Sequence, residues 1–294
     1  MATLRAATPL AFCALGILLS ERAGVLNIGV EGVMLAGALA AVLVGTLTGS
    51  AWPGLVSALL TGVFCGLVLG SLTVMLPADQ VVVGIAFNLV SLGVTSFIYK
   101  IMVARQIRLI GPDELSSMAG GLQGVPVIGF LASISPLTYL VLIGGILLTF
   151  FLFRTGPGLL WRSVGESARS AHAAGIDVQR IRLLSIVLGS VLCSLGGAAL
   201  TLAWVHSFTD NITMGRGFIA LAAVYFGRWH PMWALGACAL FGAGEALGFR
   251  AQAAGIGLNP YYYFMLPYLL TLLAVGVMGR AVGPKDAGKP YVRG

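Results

Sequence analysis

Residues 54–76 read GLVSALLTGVFCGLVLGSLTVML, a run of 23 residues without a single charged side chain. About 20 apolar residues in helical conformation are enough to cross the hydrocarbon core of a bilayer. The run lacks the alternation of apolar and polar residues that a membrane barrel strand requires. Since lipid cannot satisfy open backbone groups, the stretch predicts a membrane-spanning helix.

The composition extends this interpretation to the whole chain. Of its 294 residues 58% are hydrophobic and only 9% are charged, whereas about a quarter are charged in an ordinary soluble domain. We therefore predict an all-α fold, a polytopic transmembrane bundle of about eight (six to ten) membrane segments, in one domain over residues 1–294. The other apolar runs cover residues 9–20, 23–49, 81–99, 136–153, 183–204, 217–227, 232–249 and 259–279.

The net charge of +7 is best explained by orientation in the membrane, because the bases lie at the ends of apolar runs. No aromatic-interleaved basic stripe indicates nucleic-acid binding. Segment 154–182 and the basic tail 280–294 together hold nine of the seventeen Lys and Arg residues. Four predicted segments separate them, so we place both in the cytoplasm. The non-spanning segment 100–135 then lies outside.

The N-terminal run resembles a signal peptide, with Arg5 followed by apolar residues, but it has no clear cleavage site. We interpret it as a retained first helix. Thr8 and Pro9 suit the N-cap and first position of a helix. A helix from Pro9 to Ser20 would be about 18 Å long, so the helix either begins nearer Met1 or is a partial span.

Small residues indicate how the helices pack. Gly62, Gly66 and Gly70 recur at four-residue spacing, which is typical of a close helix–helix face. The four cysteines lie singly inside apolar runs and are expected to pack as small residues rather than form disulfides or a metal site. They are Cys13, Cys65, Cys193 and Cys238.

The run 23–49 is unusual because Asn27 and Glu31 lie near its start among several glycines, including Gly29. Glycines weaken a helix, and polar groups in a membrane need a cavity or a partner. We predict a broken helix here, followed by a regular helix to about Gly49.

Two carboxylates fall inside predicted spans, Glu31 and Glu245. A charge at mid-bilayer costs about 2.5–3.5 kcal/mol. The two side chains either line or brace a polar path, or they form structural hydrogen bonds to a neighbouring helix end. Asn27 and Asn88 carry less signal, because Asn often bridges helices. Gly29 allows close backbone approach, either to a path or for packing.

Three residues near residue 220 have simple interfacial interpretations. Arg216 begins a short apolar run, where a helix N-terminus could bind an anion. Snorkelling of its side chain to lipid headgroups is the simpler interpretation. Arg228 and Trp229 are predicted to anchor the chain at the membrane interface.

Segment 154–182 is the most polar part of the chain, and its local structure can be predicted. Residues 167–174 are alanine-rich and should form a short helix. Gly175 suits the left-handed position after that helix and is followed by hydrophobic Ile176. Asp177 then suits the N-cap of the next span. The helix is either an amphipathic connector or a rigid element that docks into a groove of a soluble partner.

No enzyme motif is present. The three histidines are scattered at 172, 206 and 230, and there is no HExxH, GxSxG or GxxxxGK[ST] pattern. We therefore expect no catalysis, no cofactor and no metal. Any ATP dependence must come from a partner protein.

The polar segment resembles the coupling loop of ABC importer permeases of the branched-chain amino acid, ribose and nucleoside type. The resemblance extends to blocks at 21–38, 79–89, 214–231 and 241–247. One departure is Ser167-Ala168, where many members have Asn-Pro. The loop residues that the resemblance assigns to ATPase coupling are Arg162, Gly165, Glu166, Ala173, Ala174, Gly175, Ile176 and Asp177.

The resemblance implies a multi-pass protein of the bacterial inner membrane that works with a second permease subunit, often non-identical. It also implies two cytoplasmic ATPases and an extracytoplasmic solute-binding protein. The Asn27–Glu31 stretch is most similar to permeases for nucleosides or simple sugars. Residues expected along an alternating-access path are Asn27, Gly29, Glu31, Asn88 and Glu245.

Three alternatives remain open from the sequence. The solute could be a branched-chain amino acid or another sugar. The chain could instead be a secondary transporter driven by an ion gradient, which would take up solute by itself. It could also be a membrane scaffold without a transport role.

Overall fold

The computed structural model describes residues 2–76, 78–112, 115, 134–253, 265, 269 and 283–291, with the backbone alone for residues 251–253. Within these ranges the chain is helical and forms no strand, which confirms the all-α prediction. The ten helices are α1 (Ala2–Arg22), α2 (Val30–Thr48), α3 (Ala51–Gly70), α4 (Gln80–Ala104), α5 (Pro136–Arg154), α6 (Gly156–Glu166), α7 (Ala168–Ala173), α8 (Val178–Ala199), α9 (Arg216–Phe226) and α10 (Pro231–Ala253).

Seven of the helices in the described ranges are long and apolar enough to cross a membrane, so the polytopic bundle is confirmed. Single π-helical turns, Ser71–Met75 and Leu200–Trp204, lengthen α3 and α8. Helix α4 continues to Ala104, so the predicted non-spanning segment 100–135 begins too early. The predicted span 259–279 falls almost entirely outside the described residues.

Helix α1 lies at the centre of the bundle. Of its most apolar 18 residues 78% are buried, against 17% for α4. Helix α1 packs on α8, α9 and α10, while α3, α4 and α5 expose leucine, valine and phenylalanine side chains. The exposed apolar faces match the demand of lipid, which satisfies apolar side chains and nothing else.

The predicted start of α1 at Thr8 and Pro9 is wrong, and the alternative start nearer Met1 is confirmed. Pro9 lies inside the helix. The Thr8 hydroxyl donates to the carbonyl oxygen of Leu4 at 2.7 Å instead of capping. It also shares a 2.7 Å hydrogen bond with Thr138 of α5. This tertiary contact, which the local sequence could not reveal, holds the additional turns.

The glycine face of α3 is confirmed, and it packs on α8. A Cβ atom at Gly62 would lie 2.6 Å from the Cα of Val191, and one at Gly66 would lie 2.6 Å from the Cα of Val187. The two backbones are therefore in direct contact, as small residues permit. The four cysteines are buried free thiols, as predicted.

The bundle has two ends, which are named here by what they hold. The loop end carries α6, α7 and the tail residues 283–291, where the Asp286 N–H donates to the Gly165 carbonyl oxygen at 3.0 Å. The opposite end carries the connections after α4 and α8, where the Gly111 N–H donates to the His206 carbonyl oxygen at 3.0 Å.

Replacing Gly66 by Ala should lower the melting temperature of the detergent-solubilised protein, because the methyl group must displace the α8 backbone. Overpacking of this kind costs about 1–3 kcal/mol. Gly93→Ala is the matched control, since a Cβ there meets nothing within 4 Å and Ala favours a helix by about 1 kcal/mol over Gly. Equal melting temperatures for the two variants would contradict the α3–α8 contact.

Candidate functional site

The predicted broken helix is present between α1 and α2. Helix α1 ends at Arg22, and α2 begins only at Val30. Gly24 adopts φ +84°, which favours glycine, and Val25 donates back to the Ser20 carbonyl oxygen at 3.1 Å. The intervening residues 23–29, called here the α2 lead segment, carry backbone groups that need partners outside a helix.

Two amides on α4 supply partners for this segment. The Asn88 Nδ2 donates to the Ile28 carbonyl oxygen at 2.9 Å, and its Oδ1 accepts from the Gly32 N–H at 2.8 Å. The Gln80 Oε1 accepts from the Leu26 N–H at 2.7 Å. Sequence reasoning missed Gln80, although a buried glutamine at the first turn of a span is a signal for such a bond.

A second interruption lies before α9. After the π-helical turn that ends at Trp204, residues 205–215 are irregular, and α9 then spans only Arg216–Phe226. Gly215 precedes α9 with φ +79° and has no side chain to cap the helix. The first N–H groups of α9 therefore need an acceptor from elsewhere in the bundle.

Glu31 provides that acceptor. Its Oε1 accepts from the Gly215 N–H at 2.8 Å and its Oε2 accepts from the Gly217 N–H at 2.7 Å. Glu31 also lies in the first turn of its own helix α2. One carboxylate thus faces the positive ends of two helix dipoles, each an interaction of about 0.3–1 kcal/mol at exposed sites and up to about 2 kcal/mol in partly buried ones.

Glu31 lies well inside the bundle. Gly37, six residues further along α2, packs on Ser194 of α8, which is 16 residues after Val178. At a rise of 1.5 Å per residue, Glu31 is about 15 Å from the loop end of a helix about 40 Å long. The helix starts of α2 and α9 therefore meet away from both ends of the bundle.

The second intramembrane carboxylate, Glu245 of α10, forms an ion pair with Arg216, and the two side chains are only 11% and 13% exposed. The Arg216 Nη1 also donates to the Ile212 carbonyl oxygen at 2.8 Å, and its guanidinium lies 5.2 Å from the Trp204 ring centroid. Snorkelling of Arg216 is therefore wrong. The distant partner Glu245 overrides it, because a buried cation needs a paired anion.

Asn27 and Gly29 lie in the α2 lead segment without a comparable role in bonding. Asn27 is 2% exposed, and no described residue hydrogen-bonds to its side-chain amide. A Cβ at Gly29 would come within 3.2 Å of Leu69 and 3.5 Å of the Asn27 Oδ1. The predicted path residues Asn27, Gly29, Glu31 and Asn88 thus lie around the start of α2, and Glu245 joins them through Arg216.

The predicted structure of the polar segment is confirmed in its backbone. The Ser167 hydroxyl accepts from the Ser170 N–H at 3.3 Å and caps α7. Gly175 adopts φ +82°, and the Ile176 N–H closes the helix end on the Ala171 carbonyl oxygen at 3.0 Å. The Asp177 carboxylate then accepts from the Arg180 N–H at 3.2 Å and caps α8.

The loop residues divide into an exposed edge and an inner face. The exposed residues are Glu166, Ala173, Ala174, Gly175 and Asp177. Gly165 is buried against the backbone of Arg22 and Gly24, and half-buried Arg162 lies 5.0 Å over the Phe153 ring. Ile176 packs on a small apolar cluster of Val164, Ala168, Ala171 and Val178. The exposed edge is thus supported by the packing of Gly165 and Ile176 on the inner face of the loop.

The tail adds contacts that sequence reasoning missed. The Asp286 carboxylate accepts from the Ala168 N–H at 2.9 Å, at the start of α7, and Arg182 donates to the Lys289 carbonyl oxygen at 2.8 Å. Burial would raise the pKa of Asp286, but the Ala168 N–H and the Lys289 and Arg182 cations hold the pKa of this carboxyl below its ordinary value. Asp286 therefore binds the start of α7 as a carboxylate anion.

The predicted interface anchor Trp229 is wrong. Its side chain is 6% exposed and its indole N–H donates to the buried Glu21 carboxylate, whereas the neighbouring Arg228 is exposed. The tryptophan is held inward because a buried indole N–H requires an acceptor, and the last turn of α1 offers one.

Comparison with known proteins places this bundle in the permease class of membrane transport proteins. The family described as branched-chain amino acid transport system / permease component matches residues 1–275. The chain belongs to this family, as the resemblance predicted. No solved structure matches it.

Three relatives align over most of their length. The guanosine ABC transporter permease protein NupQ of Bacillus subtilis is 36% identical, over 100% of this chain and 96% of that protein. The nucleoside ABC transporter permease protein NupC of Lactococcus lactis is 34% identical, over 97% and 94%. The putative glucose ABC transporter permease protein TsgC13 of Haloferax volcanii is 36% identical, over 88% and 79%.

Replacing Glu31 by Ala should lower the folding yield and melting temperature more than Glu31→Gln does. The alanine leaves the part-buried Gly215 and Gly217 N–H groups without an acceptor, at up to about 1–3 kcal/mol for each. Glutamine keeps one carbonyl acceptor, so it loses the charge and one of the two hydrogen bonds. The measurement is the fraction of monodisperse protein after solubilisation, followed by thermal unfolding. Equal behaviour of wild type and both variants would remove Glu31 as the bond between α2 and α9.

Proposed function

We propose that this chain is the transmembrane permease subunit of an ATP-binding-cassette importer for nucleosides. The observation that carries the proposal is the end-to-end likeness to two permeases, one named for guanosine and one for nucleosides. The family membership and the seven candidate spans agree with a pore-forming role in the cell membrane, the inner membrane in bacteria.

A sugar is the second candidate solute, because one relative with 36% identity is named as a putative glucose permease. A branched-chain amino acid is favoured only by the family description. NupQ and NupC align over 96% and 94% of their own length, against 79% for TsgC13, which favours a nucleoside.

The ion-coupled alternative requires intramembrane carboxylates that are available to protons or sodium. Glu31 accepts two backbone N–H groups, and Glu245 is paired with Arg216. Both carboxylates are therefore committed to protein partners, which favours an external energy source. The partners we propose are cytoplasmic ABC ATPases, a second, non-identical permease homologue, and an extracytoplasmic binding protein.

The loop end supplies the docking surface in this proposal. Helix α7 is short and capped at both ends, and the residues at its two ends are exposed: Glu166 before it, and Ala173, Ala174, Gly175 and Asp177 at its end and after it. A rigid exposed helix of this kind fits a groove on a soluble partner. Closure of the ATPases would press on this helix, with Arg162 and Gly165 holding it to the bundle from behind.

The α2 lead segment and the start of α9 form the moving part of the path in this proposal. Asn27, Gly29 and Asn88 lie on or beside the irregular backbone, where reorientation breaks the fewest helical hydrogen bonds. Glu31 and Glu245 brace the two helix starts. Alternating access follows when the α2 lead segment reorients around the joined helix starts, and the solute is held weakly because the same residues must release it.

A cavity at the opposite end supports entry of a small solute there. It measures about 610 Å³ and is lined by Tyr99, Phe208, Gln106, Arg108 and Ser207 together with four apolar residues. Ligand pockets of about 300–1,000 Å³ that mix aromatic and polar groups suit small molecules. The Tyr99 and Phe208 rings lie 5.7 Å apart, so a flat base could rest against aromatic surface.

Glu166→Lys should leave folding intact and uncouple ATP hydrolysis from uptake, because the exposed carboxylate is replaced by the opposite charge at the docking edge. The expected result is at least a tenfold loss of uptake, about 1.4 kcal/mol of coupling, at an unchanged melting temperature. Glu166→Gln is the matched control, and its uptake rate should lie between those of wild type and Glu166→Lys. The measurement is uptake and ATPase rate in proteoliposomes of the whole complex; normal uptake by Glu166→Lys refutes the docking assignment.

The solute is identified by a thermal-shift screen of the cognate binding protein against purine and pyrimidine nucleosides, ribose, glucose and branched-chain amino acids. We expect stabilisation by nucleosides, because ligands that bind only the native state raise its stability. Competition of the same compounds for uptake by the complex is the second measurement. Stabilisation by glucose or leucine alone would replace the nucleoside in this proposal.

A further inference from the structure

We propose that α9 carries movement of the loop end to Glu31, and that Glu21 and Trp229 form the joint through which α9 receives it. The inference rests on the proposed function, since it concerns how an importer of this kind transmits force. It assigns a positioning role to Glu21 and Trp229, neither of which is on the solute path or on the docking edge.

The inner end of α9 is fixed to α2. Besides the two hydrogen bonds to the Glu31 carboxylate, a Cβ at Gly217 would lie 2.9 Å from the Glu31 Cα. The two helix starts are thus in backbone contact. A shift of α9 along its axis must displace Glu31, or break both hydrogen bonds at once.

The other end of α9 is fixed to α1. Glu21, which is 1% exposed, accepts from the Trp229 indole N–H and, at 3.4 Å, from the Tyr225 hydroxyl. The Trp229 carbonyl oxygen accepts from the Arg22 Nε at 2.9 Å and from its Nη2 at 2.7 Å. Side chain and backbone of one tryptophan therefore both bind the last turn of α1.

The same turn of α1 is where α6 meets the bundle. The Trp161 indole N–H donates to the Leu19 carbonyl oxygen at 2.9 Å, and Gly165 packs directly on the backbone of Arg22. Arg22 and Arg162 lie 5.5 Å and 5.0 Å from the Phe153 ring centroid. A force on α6 and α7 can therefore reach the end of α1 directly, through Trp161 and Gly165.

The element between these two ends is rigid. Helix α9 has 11 residues, a length of about 16 Å. Arg228 and Trp229 follow it with φ of 50° and 55°, a conformation that bulky residues adopt only where surrounding contacts impose it. A strut with fixed ends transmits displacement, whereas a flexible loop would absorb it.

Trp229→Phe tests the joint, with Tyr225→Phe as the matched control. Each change deletes one donor to Glu21 and keeps an aromatic ring. The measurement is nucleoside transported per ATP hydrolysed by the complete complex in proteoliposomes. Trp229→Phe should lower this ratio by at least about threefold, within the range that mutations in coupled networks produce. Tyr225→Phe, with its longer bond, should change it less.

A purely structural role is separated by the double variant Glu21→Leu with Trp229→Phe. Removing both polar partners leaves no unpaired carboxylate, so the melting temperature should recover relative to Trp229→Phe alone. The transport ratio should stay low, because the joint is still absent. Recovery of the ratio together with the melting temperature would overturn the inference and leave the pair as a folding contact.

The wild-type complex separates this inference from the proposed function. If wild type shows no ATP-dependent nucleoside uptake, the proposed function fails. If wild type transports nucleosides and Trp229→Phe has the wild-type ratio, the proposed function stands and the role of α9 is refuted.

Discussion

The carboxylate of Glu31 across the start of α9 is the interaction on which the rest of the bundle depends. Two helices, α2 and α9, begin inside the protein, and neither has a side chain of its own at the N-cap to satisfy its first N–H groups. In the bilayer core no water is available as a hydrogen-bond acceptor, and each N–H group without a hydrogen bond costs several kcal/mol. A single glutamate from the first turn of α2 accepts from two N–H groups at the start of α9. The two interruptions of the bundle are therefore joined at one point.

Close backbone packing is the second condition, and it follows from the first. The Glu31 carboxylate can reach the Gly215 and Gly217 N–H groups only if no side chain separates the two helix starts. The same direct contact between two helix backbones recurs where α3 packs on α8 at Gly62 and Gly66. Association of helices in a membrane relies on such contacts, because apolar side chains gain little by leaving lipid. Glycine thus sets which helices neighbour one another.

The sequence predicted those features that depend on neighbouring residues. The apolar spans, the glycine face of α3, the caps at Ser167 and Asp177 and the turn at Gly175 are all written within a few residues of chain. It could not predict which side chains form contacts with residues far away in the chain. The local sequence predicts a cap at Thr8 because its partner Thr138 lies 130 residues away, and it predicts an interface position for Trp229 because its partner Glu21 lies 208 residues away. The Arg216 assignment failed for the same reason.

Three carboxylates inside the bundle separate the helices that are held together from the segment that is free to move. Glu21, Glu31 and Glu245 each bind groups on α9 or its flanking residues, so α9 is clamped to α1, α2 and α10. Truncating one member of such a pair leaves the other buried and unpaired, at about 3–5 kcal/mol for a charge pair. The α2 lead segment has no such clamp at Asn27, and its remaining bonds are neutral and easily exchanged. We therefore expect conformational change to begin in residues 23–29, with the clamped helices moving as one body around them.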